Sequence, residues 1–133
     1  MQKKIATGVL VQDKNKFLLI KKNRGAYSNG VWCVAGGKKE PNETIEQCGI
    51  REIKEETGLD VKIIKKICSQ TNKTSVNNEI IEFYFTDFLA EKISGKEKPG
   101  DDAGELKWFS KEELKKLEYS EPTKIFLKKA GLL

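Results

Sequence analysis

The pattern of apolar and polar positions changes period several times along the chain. Thr7–Val11 and Phe17–Lys21 are apolar, β-prone runs around the polar cluster Gln12-Asp13-Lys14-Asn15-Lys16, which predicts a hairpin. Asn23–Gly30 reads as a Gly/Ser/Asn-containing loop, and Val31–Ala35 as a short strand that stops at Gly36-Gly37. Val61–Ser69 and Ile80–Ala90 read as two more strands separated by the polar stretch QTNKTSVNNE. In the second of them Ile81, Phe83 and Phe85 alternate with Glu82, Tyr84 and Thr86, the period of a strand with one buried face. KISGKEKPGDDAGE reads as a turn-rich loop before a short strand at Leu106–Phe109.

Between these strands lie stretches of helical character. Thr44 and Gln47 form a capping-box pattern, and Gly58 is placed as a left-handed terminating residue, so the spacing predicts a helix over Ile45–Thr57. Ser110 with Glu113 predicts a second helix start, and a final helix runs from about Pro122 to near Gly131. No internal repeat or linker divides the 133 residues, which suit one compact domain. The order of elements predicts an α/β or α+β fold with a mixed sheet.

Composition narrows the function. Apolar runs recur throughout, no stretch reaches membrane-spanning length, and the N-terminus lacks the apolar segment of a signal peptide, so a cytoplasmic protein without a membrane partner is expected. Cys33, Cys48 and Cys68 are odd in number and widely spaced, and read as small buried hydrophobes. The chain has no histidine, so acid–base chemistry must fall to carboxylates, lysines or tyrosines. A formal charge of +5 suits an anionic partner, but the lysines are dispersed rather than gathered into a nucleic-acid groove.

Against that basic background, negative charge is concentrated in the first long helix. Glu52, Glu55 and Glu56 stand at i, i+3 and i+4 and share one face, with Ile45 and Cys48 on the same face in earlier turns. Like charges at i,i+4 repel, and no lysine or arginine stands three or four residues from Glu52. A face that begins apolar and ends in carboxylates points partly inward and calls for a cation, of which Mg2+ or Mn2+ suits hard oxygen ligands. The preceding Gly36-Gly37 lets bare backbone approach a ligand and turn a carbonyl toward a metal. Magnesium held by few protein oxygens keeps positions for phosphates, so phosphate chemistry is expected.

These residues resemble the signature of the Nudix hydrolases, G-x5-E-x7-R-E-U-x-E-E-x-G-U with U aliphatic: Gly37, Glu43, Arg51, Glu52, Ile53, Glu55, Glu56, Gly58 and Leu59 fill every defined position. GVLVQDKNKFLLIKKN, GVWCVAGGKKE and ELKWFSKEEL extend the likeness more loosely over most of the chain. The resemblance implies a mixed β-sheet sandwiched between α-helices, and Mg2+- or Mn2+-dependent hydrolysis of a nucleoside diphosphate linked to another group. It implies that Glu52, Glu55 and Glu56 bind metal and supply the base, that Gly36 or Gly37 offers a backbone oxygen, and that Arg51 and Glu43 orient the carboxylates. Read structurally, Arg51 lies off the glutamate face and could simply pair with Glu55 or Glu43.

GKEKPG resembles a loop in MutT-type members from which a glutamate approaches the metals; Glu97 matches it, with Asp101, Asp102 and Glu105 as competitors. Ala35 replaces the usual proline before Gly-Gly, and EPNE at Glu40–Glu43 departs from the usual glycine-containing pattern. Of the aromatic residues, Trp32 and Trp108 read as core, whereas Tyr27, in a Gly/Ser loop beside Arg24, reads as a ligand contact. The resemblance implies a small-molecule nucleotide substrate, ADP-ribose-like or a nucleoside triphosphate. An RNA 5′-end pyrophosphohydrolase and a non-catalytic nucleotide-binding module are the alternatives, and a homodimer is compatible with the family.

Overall fold

The computed structural model describes residues 1–100 and 102–133. Strands β1 (Gln2–Asp13), β2 (Lys16–Lys22), β3 (Ala35–Lys38), β4 (Leu59–Val76), β5 (Glu79–Gly95) and β6 (Ala103–Ser110) form one mixed sheet. Helices α1 (Ile45–Thr57), α2 (Lys111–Leu114) and α3 (Glu121–Lys129) complete the elements. The spatial order is β4-β5-β1-β2-β6, with β3 on β1. Among the described residues no helix is long and apolar enough to cross a membrane.

The central strand organises the site. One edge of β1 pairs in parallel with β5, from Gln2 opposite Ile81 to Gln12 opposite Glu91. Its other edge is divided: β3 takes Ala6–Val9 and β2 takes Val11–Asp13. Both faces of β1 and β2 are covered, which is why their apolar runs are continuous rather than alternating. Val9, Val11, Leu18 and Ile20 pack with Ile53 and Leu59 on the α1 side. Leu10 and Leu19 pack with Leu114, Phe126 and Leu127 on the side of α2 and α3. Each such side chain contributes roughly 1.5–3 kcal/mol of burial, and the sheet is thereby sandwiched between helices as expected.

Several boundaries differ from the sequence reading. QTNKTSVNNE does not separate two strands but continues them, because Asn77 and Asn78 both adopt positive φ (51° and 66°) and close a two-residue hairpin turn. The polar residues alternate between exposed and half-buried positions along β4, so polarity there marks a solvated strand face rather than a loop. Likewise KISGKEKPGDDAGE is loop only in its middle, since β5 runs on to Gly95 and β6 begins at Ala103. Val31–Ala35 is not a strand: Trp32 and Cys33 make isolated bridges, and the strand starts at Ala35 and runs through Gly36 and Gly37. Glycine is required there because a Cβ on Gly36 would lie 2.0 Å from the Thr7 carbonyl oxygen of β1.

A buried carboxylate lies on β5, away from the helix α1 glutamates. Asp87 is 2% exposed and accepts hydrogen bonds from Gln70 Nε2 (2.7 Å) and Cys68 Sγ (3.5 Å). Gln70 also donates to the Pro122 carbonyl (2.9 Å), linking β4, β5 and the first turn of α3. Burial outweighs these bonds and pushes the Asp87 carboxyl up to about 6. The folded state therefore holds this proton more tightly than the unfolded chain, so the carboxylate's contribution to stability falls as pH rises from about 4 to 6 and is constant above. Asp87→Asn is expected to gain about 2 kcal/mol relative to the wild type between pH 4 and pH 7, a difference estimated from the shift. Chemical denaturation of both proteins at the two pH values checks this, and a pH-independent difference would contradict it.

Candidate active site

Helix α1 is fixed at both ends by its own sequence. Thr44 Oγ1 accepts from Gln47 N (3.1 Å) while Gln47 Oε1 accepts from Thr44 N (2.8 Å), and Gly58 closes the helix at φ 79°. The loop after β5 finishes the C-terminal end: Lys98 N donates to Thr57 O (2.8 Å) and Gly100 N to Glu56 O (2.9 Å), satisfying carbonyls the helix leaves open. Cys48, Gly49, Ile53, Glu56 and Thr57 form the buried face. Two glutamates are thereby carried to the edge of the core.

Glu56 and Glu52 line one cavity of about 780 Å³, together with Gly36 and Gly37. Glu56 is 7% exposed and accepts from Gly36 N (2.8 Å). No lysine or arginine forms an ion pair with it among the described residues. Burial, reinforced by the charge of Glu52 and only partly offset by the Gly36 N–H and Lys22, pushes its carboxyl up to about 7. Glu52 is also raised by burial, in spite of the Arg51 guanidinium beside it. Gly37 faces its carboxylate so closely that a Cβ would stand 2.4 Å from the carboxyl carbon.

Arg51 is the hub of the cluster. It grips Glu43 with a two-pronged contact, Nε to Oε2 at 2.9 Å and Nη2 to Oε1 at 2.7 Å, and reaches Glu52 (2.9 Å), Glu55 (3.2 Å) and the Lys38 carbonyl (3.0 Å). The guanidinium hydrogen bonds hold Glu43 down at about 2, so it stays ionised. Arg51 thus pairs not only with Glu43 and Glu55 but also with Glu52, so the local charge on Glu52 is already partly compensated. Of the helix α1 glutamates facing the cavity, Glu56 is the one without such a partner among the described residues.

The three glutamates are not equivalent. Glu55 does not line the cavity; its side chain is 56% exposed and turned to Arg51. Glu97 also lies outside the cavity wall: its Oε1 accepts from Lys92 Nζ (2.9 Å) and Trp108 Nε1 (3.2 Å), and the lysine holds its carboxyl below the usual range. Of its competitors, Asp102 lines the cavity and pairs with Arg24, and Glu105 is exposed opposite Lys21. Asp101 lies outside the described residues.

Part of the cavity wall is aromatic. Tyr27 sits 6.1 Å from Phe83 and 6.5 Å from Phe85, and these two phenyl rings stack at 5.4 Å, with Ile81 and Val76 beside them. Lys22 and Arg24 lie on the same wall. Tyr27 has φ 62°, uncommon for a bulky residue, and such a conformation costs roughly 1–3 kcal/mol. Its hydroxyl donates to Asn72 Oδ1 (2.6 Å). The alternation along β5 marked Phe83 and Phe85 as inward-facing but not as cavity wall, and Asn72, in a stretch that reads as loop, carried no signal. Trp32 is core, edge-on to Phe109 at 4.9 Å, and Trp108 packs partly buried against the α1-side cluster.

The donor set fits a hard divalent cation. Two desolvated carboxylates beside a glycine hollow, one of them without an ion-pair partner among the described residues, are oxygen ligands that a cation would relieve, and magnesium needs few protein oxygens. Among the described residues no three acidic or thiol groups form a ready-made metal cage.

The NUDIX domain profile matches residues 2–129. The ADP-ribose pyrophosphatase of Methanocaldococcus jannaschii is 34% identical over 117 residues, 86% of this chain and 66% of that protein, so the chain spans just under two thirds of its length. The nucleoside triphosphatase NudI of Enterobacter sp. is 27% identical over 133 residues, covering 93% of this chain and 94% of the relative. The crystal structure of a MutT NUDIX hydrolase from Burkholderia pseudomallei matches with a TM-score of 0.83 at 27% identity, covering 97% of this chain and 98% of the other. With the family profile matched over residues 2–129 and the fold matched over nearly its whole length, this chain belongs to the Nudix hydrolase family.

Proposed function

We propose that residues 1–133 work as one catalytic unit, a pyrophosphohydrolase that uses Mg2+ or Mn2+ to cleave the diphosphate bridge of a small nucleoside diphosphate derivative. The observation that carries this reading is a single cavity whose wall contains both the carboxylates Glu52 and Glu56 and the aromatic side chains Tyr27, Phe83 and Phe85. That arrangement suits a diphosphate joined to a nucleobase. Lys22 and Arg24 add positive charge to the same wall, Lys22 near enough to Glu56 to act on it electrostatically.

Glu52 and Glu56, with the Gly36 or Gly37 backbone oxygen, would hold the metal, and Glu55 and Glu97 would join them only by releasing Arg51, or Lys92 and Trp108. When bound, the ion neutralises the diphosphate and acidifies a water. Gly36 N–H fixes Glu56, and Arg51 holds Glu52 by Oε1, leaving Oε2 of Glu52 to accept the proton. Water attacks one phosphorus, a new P–O bond forms as the bridging P–O bond breaks, and the displaced phosphate leaves with the electron pair. Tyr27 and Phe83 hold the base, and Arg24 lies along the phosphate path.

ADP-ribose is the substrate class favoured here, because the archaeal ADP-ribose pyrophosphatase is the more similar of the two relatives in sequence. The test is product release from ADP-ribose, nucleoside triphosphates, dinucleotides and triphosphate-ended RNA, with magnesium and with chelator. Magnesium-dependent AMP release from ADP-ribose is expected. Tight nucleotide binding without cleavage of any substrate would make the chain a binding module, and cleavage confined to the RNA would move it to the RNA-end class.

A further inference from the structure

We propose that Tyr27 is a partition that sets the size of the nucleobase end of the site, a specificity determinant that rests on the nucleotide reading above. Beside the main cavity lies a second one of about 460 Å³. The walls of both contain Gly25, Tyr27, Ser28, Ser75 and Ser120. Four of these are glycine or serine, so the Tyr27 ring is the one large side chain standing between the chambers.

The ring is held in that position from several directions. One side meets Phe83 and Phe85, and the hydroxyl donates to Asn72 Oδ1 (2.6 Å), a residue in the wall of the smaller chamber alone. The loop itself does not call for tyrosine. At φ 62° asparagine or glycine would suit the backbone better, so the aromatic ring is retained against local preference. The loop on either side also turns through glycines, Gly25 and Gly30, with open space around them.

The two chambers differ in chemistry. The main one is aromatic and aliphatic near Tyr27, whereas the smaller is polar, with Asn29, Asn72, Thr74 and Glu121 in its wall. A base stacked on Phe83 and Phe85 is therefore stopped at its outer edge by Tyr27. Without the ring, an enlarged base would extend into the polar chamber. Tyr27 thus discriminates by size where the base is held, and its removal alters which nucleotide binds.

The experiment compares AMP with etheno-AMP, whose third fused ring enlarges the base; neither contains a phosphoanhydride bond, so binding is read apart from catalysis. Etheno-AMP binding is followed by fluorescence anisotropy and AMP by competition, in magnesium, for the wild type, Tyr27→Asn and Tyr27→Phe. The wild type is expected to prefer AMP by about tenfold, in the range one misfitting group commands in a pocket. Tyr27→Asn, which suits the backbone, should reduce that preference to about twofold, and Tyr27→Phe, which keeps the ring, should retain most of it. Asn72→Ala, which frees the hydroxyl without touching the ring, should shift it in the same direction by less. A preference in Tyr27→Asn equal to that of the wild type overturns the proposal, as does the absence of binding of either nucleotide by all the proteins. ADP-ribose hydrolysis by the same samples reports separately: a shifted binding preference without any cleavage keeps the partition and removes the hydrolase reading.

Discussion

Glu56→Gln is expected to yield a more stable and nearly inactive protein. The Glu56 side chain is buried, raised to about 7, and without an ion-pair partner among the described residues, so its ionised form is a cost the fold carries. Because the folded pKa lies above the unfolded one, that cost is absent below about pH 4.5 and complete above about pH 7. Glutamine keeps an oxygen for the Gly36 N–H and removes the charge. In chelator at pH 8 the variant should be about 2 kcal/mol more stable than the wild type, an order-of-magnitude figure from the shift. The gain should vanish near pH 4. With magnesium and substrate, turnover should fall by at least about a hundredfold, the scale on which such groups act. Denaturant midpoints at the two pH values and steady-state kinetics read both halves. Near-normal turnover would remove Glu56 from the site, and a loss of stability at pH 8 would show that the charge is compensated.

The two glycines before the helix should separate structure from function. A Cβ on Gly36 meets the Thr7 carbonyl oxygen at 2.0 Å, and backbone cannot give way. Gly36→Ala should therefore lift β3 from β1, cost about 3 kcal/mol, and take the N–H away from Glu56, abolishing turnover. A Cβ on Gly37 instead meets the Glu52 carboxylate at 2.4 to 2.7 Å, the far end of a flexible side chain. Gly37→Ala should fold with a loss under about 1 kcal/mol, yet turnover should drop by at least about tenfold because Glu52 is displaced from its place beside Arg51. Thermal or chemical denaturation with kinetics distinguishes the pair. A fully active Gly37→Ala would mean that the Glu52 position is not critical.

Much of this was legible in the residues because it is local. The capping box at Thr44 and Gln47, the left-handed Gly58, and the i, i+3, i+4 spacing of Glu52, Glu55 and Glu56 depend on neighbours within two turns, and the helix appears where the spacing places it. The alternation of Ile81, Phe83 and Phe85 likewise identified an inward face. Where the reading failed, long-range pairing decided. QTNKTSVNNE looks like a loop by composition and becomes strand because β4 and β5 pair along its whole length around an Asn-Asn turn. Gly36-Gly37 looks like a strand end and is strand because both residues pair with β1, where at Gly36 only glycine can lie against Thr7 and Gly8.

The sequence by itself determined the identity of the acidic cluster, its helix and the family of the chain, since these follow from residue types at fixed short spacings. Only the tertiary structure decided which carboxylates line the cavity together. On the helix wheel Glu52, Glu55 and Glu56 are near equals. In the fold, packing against β1 and β3 buries Glu56, Arg51 gathers Glu43, Glu52 and Glu55, and Glu55 is left half in water. The same holds for Tyr27, whose loop position showed only that it was available to a ligand. Its place between two chambers comes from the approach of β4, β5 and α3, elements remote from it in the chain, and desolvation at such meeting points depends on neighbours that no local pattern encodes.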